Sequence, residues 1–160
     1  MSRNQTRGYV AISGPGEGAE DVDITDARGI AEQLAAAGVT IVCGGLSGVM
    51  AAAAQGAAAA GGVSIGLLPD ADRSRAHPDL TYTIPTGMGE LRNGLLVRAA
   101  DVVMVVGGSW GTMSELALAV RTAVPVVTLR TWSVDPVGVP GVVSDAEEAV
   151  ARVLNLLPPG

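Results

Sequence analysis

Asp101-Val102-Val103-Met104-Val105-Val106-Gly107-Gly108-Ser109-Trp110-Gly111-Thr112-Met113-Ser114-Glu115 decides the fold. Its first part is apolar without alternation, as a strand buried on both faces must be. Two glycines then turn the chain, and a polar segment opens a helix that runs to about Thr122. The same order recurs upstream. Residues 39–43 form a strand, Gly44-Gly45-Leu46-Ser47-Gly48 a turn, and an alanine run a helix that stops at Gly61-Gly62. Residues 8–13 form a first strand followed by Gly14-Pro15-Gly16-Glu17-Gly18. Thr25 or Asp26 can cap the helix after it, which reaches Ala37 and ends on Gly38 in the left-handed region.

Further strands are expected at residues 63–68, 82–84 and 124–129, with helices at 90–100 and 145–156. Strand, glycine turn, helix, strand is the pattern of an α/β fold: a Rossmann-like open parallel β-sheet with helices on both faces. A length of 160 residues suits a single domain, 1–160, of nucleotide-binding type. Right-handed crossovers bring every strand-to-helix turn to one edge, where such sheets bind ligands.

Composition removes much chemistry. The chain has 22 Gly, no Phe, no Lys, one His (His77) and one Cys (Cys43). Without lysine there is no P-loop lysine and no Schiff base; one His and one Cys cannot build a Cys/His zinc site or a disulfide within the chain. No metal and no resident cofactor are expected. A net charge of −6 disfavours nucleic acid as a partner. The 37 positions between Glu32 and Asp70 carry no charge, yet Gly38, Gly44-Gly45, Gly56 and Gly61-Gly62 interrupt them, and a spanning helix needs about 20 apolar residues in one run. The leading Met1-Ser2-Arg3-Asn4-Gln5-Thr6-Arg7 precedes no apolar signal core. A soluble, cytoplasmic protein without a membrane partner is the expectation.

Three glycine turns meet at the ligand edge, and their candidate contacts are Gly14 and Gly16, then Gly44, Gly45, Ser47 and Gly48, then Gly107, Gly108, Ser109, Gly111 and Thr112. Glycine lets backbone approach a ligand, and a helix N-terminus offers free N–H groups to a phosphate. Any one of these turns can equally be plain punctuation. Gly14-Pro15-Gly16-Glu17-Gly18-Ala19 fits GxGxxA, but no acidic residue follows the second strand, so a conventional dinucleotide site is not indicated. Thr112 and Ser114 bring hydroxyls to the helix start. Glu115 is either a first-turn acid favoured by the helix dipole or a working carboxylate, and Arg92 either a surface arginine or an anion clamp. Cys43 reads as an inert core thiol and His77 as a solvated imidazole in the polar loop 69–80.

Gly44-Gly45-Leu46-Ser47-Gly48-Val49-Met50, Arg92-Asn93 with Arg98-Ala99-Ala100-Asp101, and Gly108-Ser109-Trp110-Gly111-Thr112-Met113-Ser114-Glu115 together resemble the Lonely Guy (LOG) family, long labelled "lysine decarboxylase-like". The likeness spans residues 8–129 and implies a Rossmann-like fold and hydrolysis of nucleoside 5′-monophosphates at the N-glycosidic bond. On the family pattern Pro-Gly-Gly-x-Gly-Thr-x-x-Glu, Gly107 and Ser109 replace the proline and the second glycine, and Glu115 is kept. On Met-His-x-Arg-Lys only Arg92 is kept, with Asn93 in place of the lysine; Cys43 replaces the first glycine of Gly-Gly-Gly-x-x-Gly. These departures resemble a sister group that includes the molybdenum cofactor carrier proteins.

Two readings follow from the resemblance. As an enzyme, Glu115 would act at the anomeric centre, Arg92 would orient it or the substrate, and residues 107–112 would grip the 5′-phosphate of a small nucleotide-like ligand. As a carrier or sensor, the same edge would hold a phosphorylated heterocycle without turnover. A purely structural or regulatory role for the fold is the third class. True lysine decarboxylation fails, because pyridoxal phosphate needs a lysine. Apolar helices and the resemblance both point to a homodimer or higher homo-oligomer.

Overall fold

The structure is a computed structural model, and it describes residues 6–135 and 137–158; residues 1–5 of the leading segment lie outside them. Six strands form one parallel sheet: β1 (Tyr9–Ser13), β2 (Thr40–Cys43), β3 (Ser64–Leu68), β4 (Tyr82–Pro85), β5 (Val102–Val106) and β6 (Val126–Leu129). Their spatial order is β4-β3-β2-β1-β5-β6. The chain builds outward from β1 to one edge, then returns to lay β5 on the other side of β1. That reversal opens a crevice between the carboxyl ends of β1 and β5.

Five helices cover the sheet: α1 (Asp21–Ala36), α2 (Val49–Ala59), α3 (Arg92–Arg98), α4 (Trp110–Arg121) and α5 (Ala146–Leu156). Alternation along the strands assigns the faces. Val10 and Ile12 of β1 and Val102, Met104 and Val106 of β5 pack under α1, α2 and α5. Ala11, Val103 and Val105 point the other way, to Leu96 and Val97 of α3 and Leu116 and Ala119 of α4. Helices therefore lie on both faces, as expected. The alanines explain how α1 and α2 come so close: a Cβ on Gly56 would strike the Arg28 carbonyl and lie 2.9 Å from the Ala31 side chain. Only small residues permit that approach.

Strand and helix positions follow the sequence reading within a few residues, with one correction. Helix α1 begins at Asp21, not after Thr25 or Asp26, and its N-cap residue Glu20 makes no side-chain cap. Tertiary contact fixes this start: the Arg130 guanidinium donates to Asp23 at 2.9 Å and to Asp26 at 2.6 Å, tying the first two turns to the end of β6. Three acids at residues 20, 21 and 23 also make this helix start hostile to a phosphate. Elsewhere the caps are local. Ser109 Oγ accepts from the Thr112 N–H at 3.2 Å, and Asp145 from the Glu148 N–H at 2.8 Å. Among the described residues no helix is long and apolar enough to cross a membrane.

Candidate functional site

A cavity of about 410 Å³ opens at the carboxyl edge beside the β1–β5 crevice, on the side of α3 and α4. Five segments line it. Ser13 ends β1, and Gly14 and Gly16 follow it; Gly44 and Met50 follow β2; Pro69, Asp70 and Arg75 follow β3. Glu90, Arg92 and Asn93 come from the start of α3, and Ser109, Gly111, Thr112 and Glu115 from the start of α4.

Arg92 is buried, with 7% of its surface exposed. Its Nη1 donates to the Leu67 carbonyl at 2.7 Å, and a Cβ on Gly44 would collide with the same nitrogen. Gly44 is thus the seat of the guanidinium. Burial lowers the Arg92 pKa, and the charge of Glu115 opposes that shift. Its Nε is buried without a hydrogen-bond partner, a costly arrangement.

Glu115 is equally buried, and the Ser13 hydroxyl donates to its Oε2. Burial pushes its carboxyl up to about 6; the Ser13 hydrogen bond and the Arg92 charge pull the other way. Cys43 lies beneath, fully buried, its thiol pushed up to about 11 by desolvation. At the start of α4, Ser109 Oγ and Thr112 Oγ1 are 2.8 Å apart. The Ser114 hydroxyl is committed elsewhere: it donates to the Gly111 carbonyl at 2.7 Å and accepts from Asn93 at 2.9 Å. At the rim, Arg75 makes a two-point bond to Asp70, at 3.0 and 2.6 Å.

The structure therefore brings Gly14, Gly16, Gly44, Arg92, Ser109, Gly111, Thr112 and Glu115 together around one cavity. The other five predicted contacts sit outside it. Gly45 packs against Leu68 and Gly66 of β3. Gly48 lies against the Pro15 and Gly16 carbonyls, and the Val49 N–H that follows donates to Pro15 at 2.9 Å, so the first turn, not a ligand, covers the start of α2. Ser47 and Gly48 line a neighbouring hollow with Arg75 and His77. Gly107 faces the Asp23 carboxylate, and Gly108 lies under the Trp132 ring. Trp132 meets Trp110 edge to face, with centroids 5.4 Å apart. These glycines are required where backbone or side chains press on them. His77 also departs from the expectation, with only 18% of its side chain exposed and Nδ1 accepting from the Asp79 N–H at 3.3 Å.

Sequence reading missed Ser13, Asp70, Arg75 and Glu90. The charges of loop 69–80 follow a strand's carboxyl end, and that position was a usable signal for Asp70 and Arg75. Ser13 offered none. Among the described residues, no three His, Cys, Asp or Glu side chains gather closely enough to hold a metal ion.

The model of the SLOG cluster4 family matches residues 7–154. The chain belongs to this family. A curated relative of this SLOG cluster4 protein, an uncharacterized protein of Archaeoglobus fulgidus, is 35% identical over 143 residues, covering 88% of this chain and 91% of its own. Two solved structures share the fold over 92% of this chain and 96% of theirs. One is a molybdenum cofactor binding protein from the phototrophic bacterium Rippkaea orientalis, with 29% identity and a TM-score of 0.84. The other is the molybdenum cofactor carrier protein of Chlamydomonas reinhardtii, with 32% identity and a TM-score of 0.81. The resemblance read from residues 44–50, 92–101 and 108–115 is consistent with these relations.

The raised Glu115 carboxyl has a stability consequence in this SLOG cluster4 fold. Its folded pKa of about 6 exceeds its ordinary 4.5, so between these two values the native state binds more protons than the unfolded chain. Stability therefore falls as pH rises through that window and stays lower above it, by about 2 kcal/mol. Glu115→Gln removes the buried charge. It is expected to raise the thermal midpoint relative to wild type at pH 7.5, with the gain shrinking towards pH 4.5, as differential scanning calorimetry across that range would show.

Proposed function

We propose that the cavity binds a phosphorylated heterocycle and that the protein acts as its carrier, with molybdenum cofactor the ligand class the solved neighbours favour. One observation carries the reading: a buried arginine and the capped start of α4 line the same cavity. The first two N–H groups of α4 and the Ser109 and Thr112 hydroxyls suit a phosphate. Asn93, where the resemblance places a catalytic-motif lysine, supplies no charge and is bonded to Ser114, which supports binding over turnover.

Glu115 supports a second reading. A carboxyl pushed up to about 6 beside a sugar-sized space is suited to acid–base work on an N-glycosidic bond. A single experiment separates the two. Protein is titrated with molybdenum cofactor and with nucleoside 5′-monophosphates, binding is followed by calorimetry, and free base is sought by chromatography. The carrier reading expects saturable binding with no base released. Base released by wild type and abolished in Glu115→Gln would replace it with a phosphoribohydrolase.

We also propose a homodimer. Leu91 and Leu95 of the α3 segment and Val120 of α4 are exposed, Leu91 by 76%, and apolar faces of this kind favour association. Sedimentation during the same titration reads the mass.

A further inference from the structure

We infer that Ser13 is a positioning residue: its hydroxyl, and no hydrogen bond from the Arg92 guanidinium, fixes which oxygen of Glu115 is left for a ligand, and it adds to the Arg92 charge in keeping that carboxylate ionised. Ser13 is the last residue of β1, in register with Val105 of β5 at the centre of the sheet, and 1% exposed. Its backbone is as firmly held as any in the fold. From there its hydroxyl donates to Glu115 Oε2. A hydroxyl that donates to a carboxylate favours the ionised form, because the bond is made to the negative charge.

The other groups around Glu115 do not hold one of its oxygens. Arg92, from α3, has Nη1 committed to the Leu67 carbonyl and acts on Glu115 by charge alone. Cys43, from β2, keeps its thiol proton at neutral pH. Asp70 and Glu90 share the cavity, and their negative charges do not favour a further ionised carboxyl; Arg75 is engaged with Asp70 at the rim. Among the described residues, Ser13 alone supplies a hydrogen bond to the Glu115 carboxylate.

A consequence follows for the ligand. With its proton directed at Oε2, Ser13 presents lone pairs to the cavity, next to the remaining oxygen of Glu115. This floor offers acceptors, so it suits N–H or O–H groups of the heterocycle or sugar and repels a phosphate, which is left to the start of α4. Ser13's part in ligand orientation rests on the binding reading proposed above, whereas its hold on Glu115 does not.

The test is the titration of Glu115 itself, in protein carrying ¹³C-labelled glutamate, read as the wild-type minus Glu115→Gln infrared difference in the carboxylate band. Wild type is expected to titrate at about pH 6, Ser13→Ala at a higher pH, and Ser13→Thr, which keeps the hydroxyl, back at the wild-type position. An unmoved midpoint in Ser13→Ala would overturn the inference, as would a failure of threonine to restore it. Should the alanine variant not fold, Ser13→Cys keeps the volume and weakens the donor; it must also shift the midpoint upward. Adenosine 5′-monophosphate and molybdenum cofactor are then added to the wild type. If the Ser13 effect is present and neither binds, the binding reading falls and the hold on Glu115 stands.

Discussion

Arg92→Met is expected to weaken binding of the phosphorylated ligand on the order of a hundredfold and to lower the thermal midpoint at neutral pH by roughly 10 °C. The affinity loss follows from removing charge-assisted donors, each worth about 1.5–3 kcal/mol, where about 1.4 kcal/mol is a factor of ten. Stability falls as well, although opposing effects meet. Methionine removes an Nε that has no partner, but it leaves the Leu67 carbonyl without its 2.7 Å donor. Removing one partner of a buried charge pair costs about 3–5 kcal/mol while the other stays ionised, and that cost fades as Glu115 takes up a proton. Glu115 then loses its neighbouring positive charge and titrates at a higher pH than in wild type. Calorimetric binding and thermal unfolding on the same sample check both halves. An unchanged affinity with a collapsed midpoint would make Arg92 a packing residue and remove the main support for the binding site.

Gly48→Ala should be strongly destabilising. Gly48 has φ +60° and ψ −127°, a region that alanine avoids, and strain there costs roughly 1–3 kcal/mol. Its new Cβ would also overlap the Pro15 and Gly16 carbonyl oxygens. These are backbone atoms, and Pro15 cannot retreat without losing the 2.9 Å bond from the Val49 N–H. Together the two effects amount to about 4 kcal/mol, which lowers the midpoint of a chain this size by roughly 10 °C. Gly61→Ala is the control: φ is +65° there, but the space around it is open, so it reports conformational strain alone, about 1 kcal/mol. Equal losses in the two variants would mean that the close packing of the first two turns contributes nothing.

How much of this was legible in the sequence depended on whether a feature is decided locally. Strand β5 and helix α4 were readable because Val102 to Val106 need burial on both faces and Ser109 caps through a bond only three residues long. Gly38 likewise marks the end of α1 by its own φ of +84°. The start of α1 was not readable, since its partner Arg130 lies 107 positions away. Ser13 was hidden for the same reason, being 102 positions from Glu115. The glycine turns show a third case. Sequence gathered all three at one edge, but a glycine required by a ligand and one required by a neighbouring carbonyl look the same in a string of letters. Gly44, which seats the Arg92 guanidinium in the cavity wall, and Gly48, pressed by the Pro15 and Gly16 carbonyls, stand four residues apart and read alike.

The protein contains two tryptophans, and they stand edge to face at one spot. Trp110 sits between Ser109 and Gly111 of the cavity wall, 82% exposed, while Trp132 presses on Gly108. Indole emission excited at the red edge of the absorption band therefore arises at the very helix start proposed to meet the phosphate. The molecule carries its own optical reporter: occupancy can be followed by light, without a label, in the native chain.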